Sequence, residues 1–177
     1  MNVERKLDRY LNKHLKESKD SLFKRMFKSK ETTFEDMEFY ETSSISNGNV
    51  FFRSKNINDY IEDNYDNETF QSKLFDYIDQ KELKDSDVYN IVGIDRRLFS
   101  KIRSNRDYHP IKETVILLGI ALKLSEEEIE DLLESASYSL PKNTKFDLII
   151  RFCFKEKIYD LIQINNFLYE RGCKTLN

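Results

Sequence analysis

The stretch GIDRRLFSKIRSNRDYHP, Gly93 to Pro110, sorts its residues by helical spacing. Ile94, Leu98, Phe99 and Ile102 fall on one side of a helix. Arg96, Arg97, Ser100, Lys101, Arg103 and Ser104 fall on the other. Asp95 stands where a carboxylate can accept the unpaired N–H groups of the first turn. Gly93 supplies the positive φ that a sharp connection from a preceding helix requires. From Arg96 to Arg106 there are five basic residues and no acid, in a chain whose net charge is −3. A local field of that kind decays over ~8 Å at physiological ionic strength, so distant acids do not cancel it.

Upstream, ETFQSKLFDYIDQKEL places Phe70, Leu74, Tyr77 and Ile78 on one helical face. KDSDVYNIVG then reads as a short helix with Asp85 as its cap. Downstream, the basic helix is expected to end near Asn105, a residue type that tolerates the left-handed conformation. Pro110 opens PIKETVILLGIALKL, whose nearly continuous apolar run predicts a central buried helix. Ser125 and Glu128 form a capping-box pattern ahead of Ile129, Leu132 and Leu133. Two more helices close the chain, KFDLIIRFCFKE and LIQINNFLYERG, with Gly172 as the stop. Phe146, Phe152, Phe154, Tyr159, Phe167 and Tyr169 are expected to build a C-terminal core; an apolar patch left on the last helix would instead form a homodimer.

Toward the N-terminus, Leu7, Tyr10, Leu11, His14 and Leu15 recur at helical spacing, as do Leu22, Phe23, Met26 and Phe27. A break is expected near Ser18–Ser21, with Asp20 or Ser21 as a cap, because KESKDS lacks apolar residues. From Glu31 to Asn67 the pattern weakens. It offers a short acidic helix, an Asn47-Gly48 turn before a strand at Val50–Arg53, and a helix with Ile57, Tyr60 and Ile61 inward. Residues 1–30 carry ten Lys/Arg against four Asp/Glu, and residues 31–69 carry two against ten. The domain reading is therefore 1–67, a basic helical arm and acidic connector, and 68–177, a helical bundle with a C-terminal extension.

With only 4 Gly and 2 Pro among 177 residues, a turn-rich β-sandwich is disfavoured and an all-α fold expected. No apolar run approaches the ~20 residues that cross a bilayer. The first residues have no apolar stretch typical of a signal peptide, and Cys153, within LIIRFCF, reads as a buried reduced thiol. A cytoplasmic protein without membrane contact follows.

From Phe70 to Ala136 the order of elements resembles the five-helix DNA-binding domain of the Cro and phage-repressor family. The matching features are inward Val88, the turn VGID, LFSKI on the third helix, Pro110, ETVILLGIAL and the Ser-capped SEEEI. A longer stretch, running on to KFDLII and YDLIQIN, also resembles an uncharacterised bacterial family found alone or appended to other domains. The first resemblance implies a repressor-like helix–turn–helix bundle, here with an N-terminal arm and two extra C-terminal helices. In that family the third helix enters the DNA major groove while the second crosses the backbone. Carried over, the nucleic-acid-binding positions are Arg96, Arg97, Ser100, Lys101, Arg103, Ser104 and Arg106. Three positions depart from the pattern: Asp85 stands where Gln is frequent, Tyr89 where a small residue is usual, and Arg103 where Glu is common. Asp85, near Asp87, would repel phosphate.

The resemblance implies a non-enzymatic DNA-binding regulator of bacterial or phage type. A protein-binding adaptor or inhibitor is the alternative, docking a partner protein through the basic 1–30 arm and acidic 31–69 block. A basic helix does not by itself distinguish DNA from RNA. His14 and His109 are the chain's two histidines and lie far apart; no phosphate loop, Cys cluster or Ser-nucleophile motif accompanies them. No enzyme activity, cofactor or metal site is expected.

Overall fold

Helix capping and apolar spacing divide the chain into short rods, and a computed structural model describes residues 3–28 (side chains to Leu15), Ile61 and 68–176. In chain order the rods are α1 (Val3–Lys28), α2 (Phe70–Gln80), α3 (Asp85–Ile91), α4 (Arg96–Ser104), α5 (Lys112–Ala121), α6 (Glu126–Ser135), α7 (Lys145–Lys155) and α8 (Leu161–Glu170). Among the described residues there is no strand, and the fold is all-α. The Asn47-Gly48 turn, the Val50–Arg53 strand and most of the acidic connector lie outside the described residues. Ile61, expected inward, is helical and exposed.

Two compact units emerge, one of Met1–Asp20 with Glu68–Asn177 and the other of Ser21–Asn67. In the first, α1 buries Leu7 and Leu11. The Tyr10 ring lies 5.5 Å from that of Phe152 on α7. Lys6 pairs with Glu156 at 2.8 Å and Asp8 with Arg171 at 2.7 Å. The backbone runs helical through Ser18–Ser21, where a break was expected. Lys, Glu, Ser and Asp lower helix propensity by only tenths of a kcal/mol, about 0.7 at most, and KESKDS holds no Gly or Pro to stop it.

α5 is the central rod, with every residue from Thr114 to Ala121 buried. It starts at Lys112, two residues beyond Pro110, and Gly119 lets α6 and α7 approach. A Cβ at Gly119 would collide with Ile129 Cδ1 and lie 3.3 Å from Phe154 Cζ. Ser125 and Glu128 make the expected capping box: Glu128 N–H donates to Ser125 Oγ at 3.2 Å, and Ser125 N–H to Glu128 Oε2 at 2.6 Å. Asp131 on α6 clasps α2, accepting from Lys73 Nζ at 2.7 Å and from the Tyr77 hydroxyl at 2.9 Å. Burial and that carboxylate push the Tyr77 hydroxyl up to about 12.

α2, α3, α5, α6, α7 and α8 all end alike. A residue with φ between 51 and 68° follows each: Glu82, Gly93, Lys123, Ser137, Lys157 and Gly172. The next N–H reaches back to the last full turn, as in Leu83 to Ile78 O (3.2 Å) and Ile94 to Tyr89 O (2.9 Å). Gly93 and Gly172 stop helices as the sequence predicts. Tyr169 does not join the expected core; it is 77% exposed on α8, as Ile162 is at 74%.

Candidate nucleic-acid interface

α4 is nine residues long and takes its orientation from both ends. At the start, Asp95 accepts the Arg97 N–H at 2.6 Å, the expected cap. Its apolar side is sunk: Ile94, Phe99 and Ile102 are buried and Leu98 is half-buried. Phe99 meets Phe75 edge-on at 6.1 Å and Tyr89 at 5.6 Å, joining α2, α3 and α4 in one aromatic contact. The bulk of Tyr89 is accommodated by this packing. Arg96, Arg97, Ser100, Lys101, Arg103 and Ser104 are all exposed.

α4 ends where the sequence places its stop, with Asn105 as the cap, but in a different conformation. Asn105 is extended, with φ −123°, and not left-handed. Its side chain accepts the Asp107 N–H at 3.1 Å, so it organises the following turn instead. The terminal carbonyls of α4 are met from α2: Gln71 Nε2 donates to Ile102 O at 3.0 Å and also to Arg103 O. Gln71 and Phe75 are positioning residues that periodicity alone does not reveal, since both read as ordinary positions on an amphipathic helix.

The cations of this face divide into two sets. Among the described residues no carboxylate forms an ion pair with Arg96, Arg97 or Lys101. Lys101 Nζ lies 4.7 Å over the Tyr108 ring, which steadies it without neutralising it. Arg103 is engaged within the chain. Its Nε and Nη2 donate to Asp85 Oδ2 and Oδ1 at 2.5 and 2.7 Å, and its guanidinium lies 4.2 Å from the centre of the Phe75 ring. The Asp85 carboxylate raises the Arg103 pKa above its ordinary value. The Arg103 side chain is 55% exposed, so the pair contributes at most about 1 kcal/mol to stability. Arg106 lies beyond α4 in the turn, exposed but off the helical face.

Asp85 was expected as a helix cap and is instead the first residue of α3. Lys84 is the cap residue, and its N–H donates to Asp87 Oδ2 at 3.4 Å. A concavity of about 390 Å³ lies beside α3 and α4, lined by Lys84, Ser86, Arg96 and Ser100 and with the Asp85–Arg103 pair in its wall. The cations and hydroxyls of that lining suit an anion with several acceptor oxygens, such as a phosphodiester, and the Asp85 carboxylate among them opposes it.

No protein-family model, curated protein or solved structure matches the chain. The site's meaning is therefore carried by its own chemistry. Among the described residues no group of three or more His, Cys, Asp and Glu is placed to hold a metal ion, and no helix is long and apolar enough to cross a membrane. His109 is exposed in the segment before α5, its ring 5.2 Å from that of Tyr138.

Proposed function

We propose that the chain is a non-enzymatic, helix–turn–helix DNA-binding regulator of bacterial or phage type. α4 lies in the major groove and α3 crosses the backbone. The observation that carries this reading is the outward presentation of Arg96, Arg97 and Lys101, without carboxylate partners among the described residues, on a helix whose apolar flank is buried. Arg can grip two acceptors on a guanine edge, and Lys or Ser reaches bases or phosphates. Among the described side chains of α1, Tyr10 packs on Phe152, Lys6 pairs with Glu156 and Asp8 with Arg171, and none of these contacts involves α4. Asp85, the main objection in the sequence, is neutralised by Arg103.

A mobility-shift titration with genomic fragments at two salt concentrations tests the reading. Binding should weaken steeply with salt, because each neutralised phosphate releases condensed counterions. Absence of binding at low salt would end it. Reading two half-sites with twofold symmetry requires two copies. Ile162 and Tyr169, exposed and seven residues apart on α8, support a homodimer, and sedimentation of wild type against Ile162→Ser/Tyr169→Ser tests it. The adaptor alternative rests on the arm and connector, whose side chains from residue 16 to 67 lie, Ile61 apart, outside the described residues.

A further inference from the structure

We propose that Asp85 is an internal competitor for the DNA backbone: it holds Arg103 out of the interface until a phosphate takes its place. This rests on the DNA-binding reading of α4.

The Asp85–Arg103 contact is a two-pronged grip, at 2.5 and 2.7 Å, of a guanidinium on two carboxylate oxygens. A phosphodiester offers the same guanidinium two oxygens in nearly the same arrangement. Asp85 thus occupies Arg103 as a backbone phosphate would. Phe75, its ring centre 4.2 Å from the guanidinium carbon, gives Arg103 a second hold that does not depend on Asp85, so one anion can replace another there. Both partners are solvent-accessible, and an exposed pair of this kind opens readily. The pair is itself part of the wall of the concavity that Lys84, Ser86, Arg96 and Ser100 also line, so a phosphate entering it lies beside Arg103, Asp85 and the neighbouring cations together.

Opening the pair leaves the Asp85 carboxylate facing the phosphate, with Lys84 and Arg96 the nearby cations and Asp87 a further anion on α3. That repulsion sets a threshold. Weak contacts with arbitrary DNA leave the pair closed, and a complex held firmly by the remaining α4 cations opens it. Asp85 therefore tunes affinity and its salt dependence through Arg103.

The experiment titrates a fluorescent mixed-sequence duplex with the full chain at several salt concentrations. Four proteins are compared: wild type, Asp85→Asn, Arg103→Ala and the double variant, each checked by thermal melting. Asp85→Asn should bind several-fold tighter, with a salt slope steeper by about 0.9, the increment for one added phosphate contact. Arg103→Ala should leave the wild-type slope unchanged at low occupancy, and the double variant should lose the gain. If Asp85→Asn is no tighter, or its gain persists with Ala at position 103, the proposal is overturned; in the second case Asp85 acts as a general repulsive charge. A second readout uses wild type alone. The Arg103 Nε–H resonance should shift when a genomic fragment that wild type binds tightly in the mobility-shift titration is added to saturation, and should stay in place with the mixed-sequence duplex. If α4 amides move with that fragment and the resonance does not, the pair stays closed and the proposal fails while DNA binding stands. Absence of binding by every variant at low salt overturns both readings.

Discussion

Lys112 Nζ lies 2.5 Å from Asp147 Oδ1, tying the first residue of α5 to the first turn of α7. Asp147 is 4% exposed, and its other oxygen accepts the Thr144 hydroxyl at 2.6 Å. A buried carboxylate needs both partners, because an uncompensated charge away from water costs far more than the pair contributes. Lys112→Met should destabilise the chain by about 3 kcal/mol, the low end for a broken buried pair since the Lys side chain is still 23% exposed. Thr144→Ala, which removes a helix cap as well, should cost about 1 kcal/mol. Urea unfolding measures both; equal, small losses would show the pair to be peripheral.

Gly119 is the point of closest approach on α5. An added methyl collides with Ile129 Cδ1, an atom walled in by the core. Gly119→Ala gains up to about 1 kcal/mol in helix propensity but loses about 1–3 kcal/mol to overpacking. A net loss is expected. Ile129→Val removes the colliding carbon and should cost about 1 kcal/mol by itself. Combined, the two changes should be less harmful than their sum, and a strictly additive pair would sink the account.

The residues left-handed after a helix give another prediction. Glu82, Lys123, Ser137 and Lys157 hold φ between 51 and 58° without being glycine. Substituting Gly at Lys123 or Lys157 should stabilise by about 0.5–1 kcal/mol, the left-handed strain relieved less the entropy glycine adds to the unfolded chain. Gly93→Ala should do the opposite, by about 1 kcal/mol. The space around a Cβ there is open, so that cost is conformational alone.

Those helix ends also show how far the sequence could be read. Gly93 and Gly172 announced their stops because glycine is the residue type that favours a positive φ. Lys123 and Lys157 gave no such signal; what fixes them is the apolar residue that follows, Leu124 or Ile158, drawn into the core. The oily and basic sides of α4 were legible from spacing alone. The Asp85–Arg103 pair was not, since it joins residues eighteen apart across a turn whose exact geometry sets the distance. Tyr169 was misread for a related reason. Apolar content shows that α8 has a buried side but not how wide that side is, and Ile164, Phe167 and Leu168 fill it without Tyr169.

Gln71 gives a prediction that separates positioning from charge. Its amide grips the last carbonyls of α4, so Gln71→Ala should fray the turn that carries Lys101 and Arg103. Stability should fall by about 1 kcal/mol, the worth of a hydrogen bond lost at a partly buried site. DNA affinity should fall too, but the salt slope should stay as in wild type because no cation is removed. Lys101→Ala should lower that slope by about 0.9. Equal slopes for Lys101→Ala and wild type would remove Lys101 from the phosphate contacts.

Burial sets the last prediction, at Cys153. This thiol is 1% exposed on α7, and burial raises its pKa from an ordinary 9.0 up to about 12. Folded chains thus keep a proton that unfolded chains release above about pH 9, so ν for the unfolded state is the smaller and stability must fall as pH rises. The slope from this one group is at most about 1.4 kcal/mol per pH unit. Cys153→Ala should lower stability at neutral pH, through the cavity it leaves, yet flatten the decline between about pH 9 and about pH 11. In the native wild type, a thiol reagent near neutral pH should modify half-buried Cys173 well before Cys153. Parallel pH profiles for wild type and Cys153→Ala, or early modification of Cys153, would mean that α7 opens locally and that the sulfur is not held in the core.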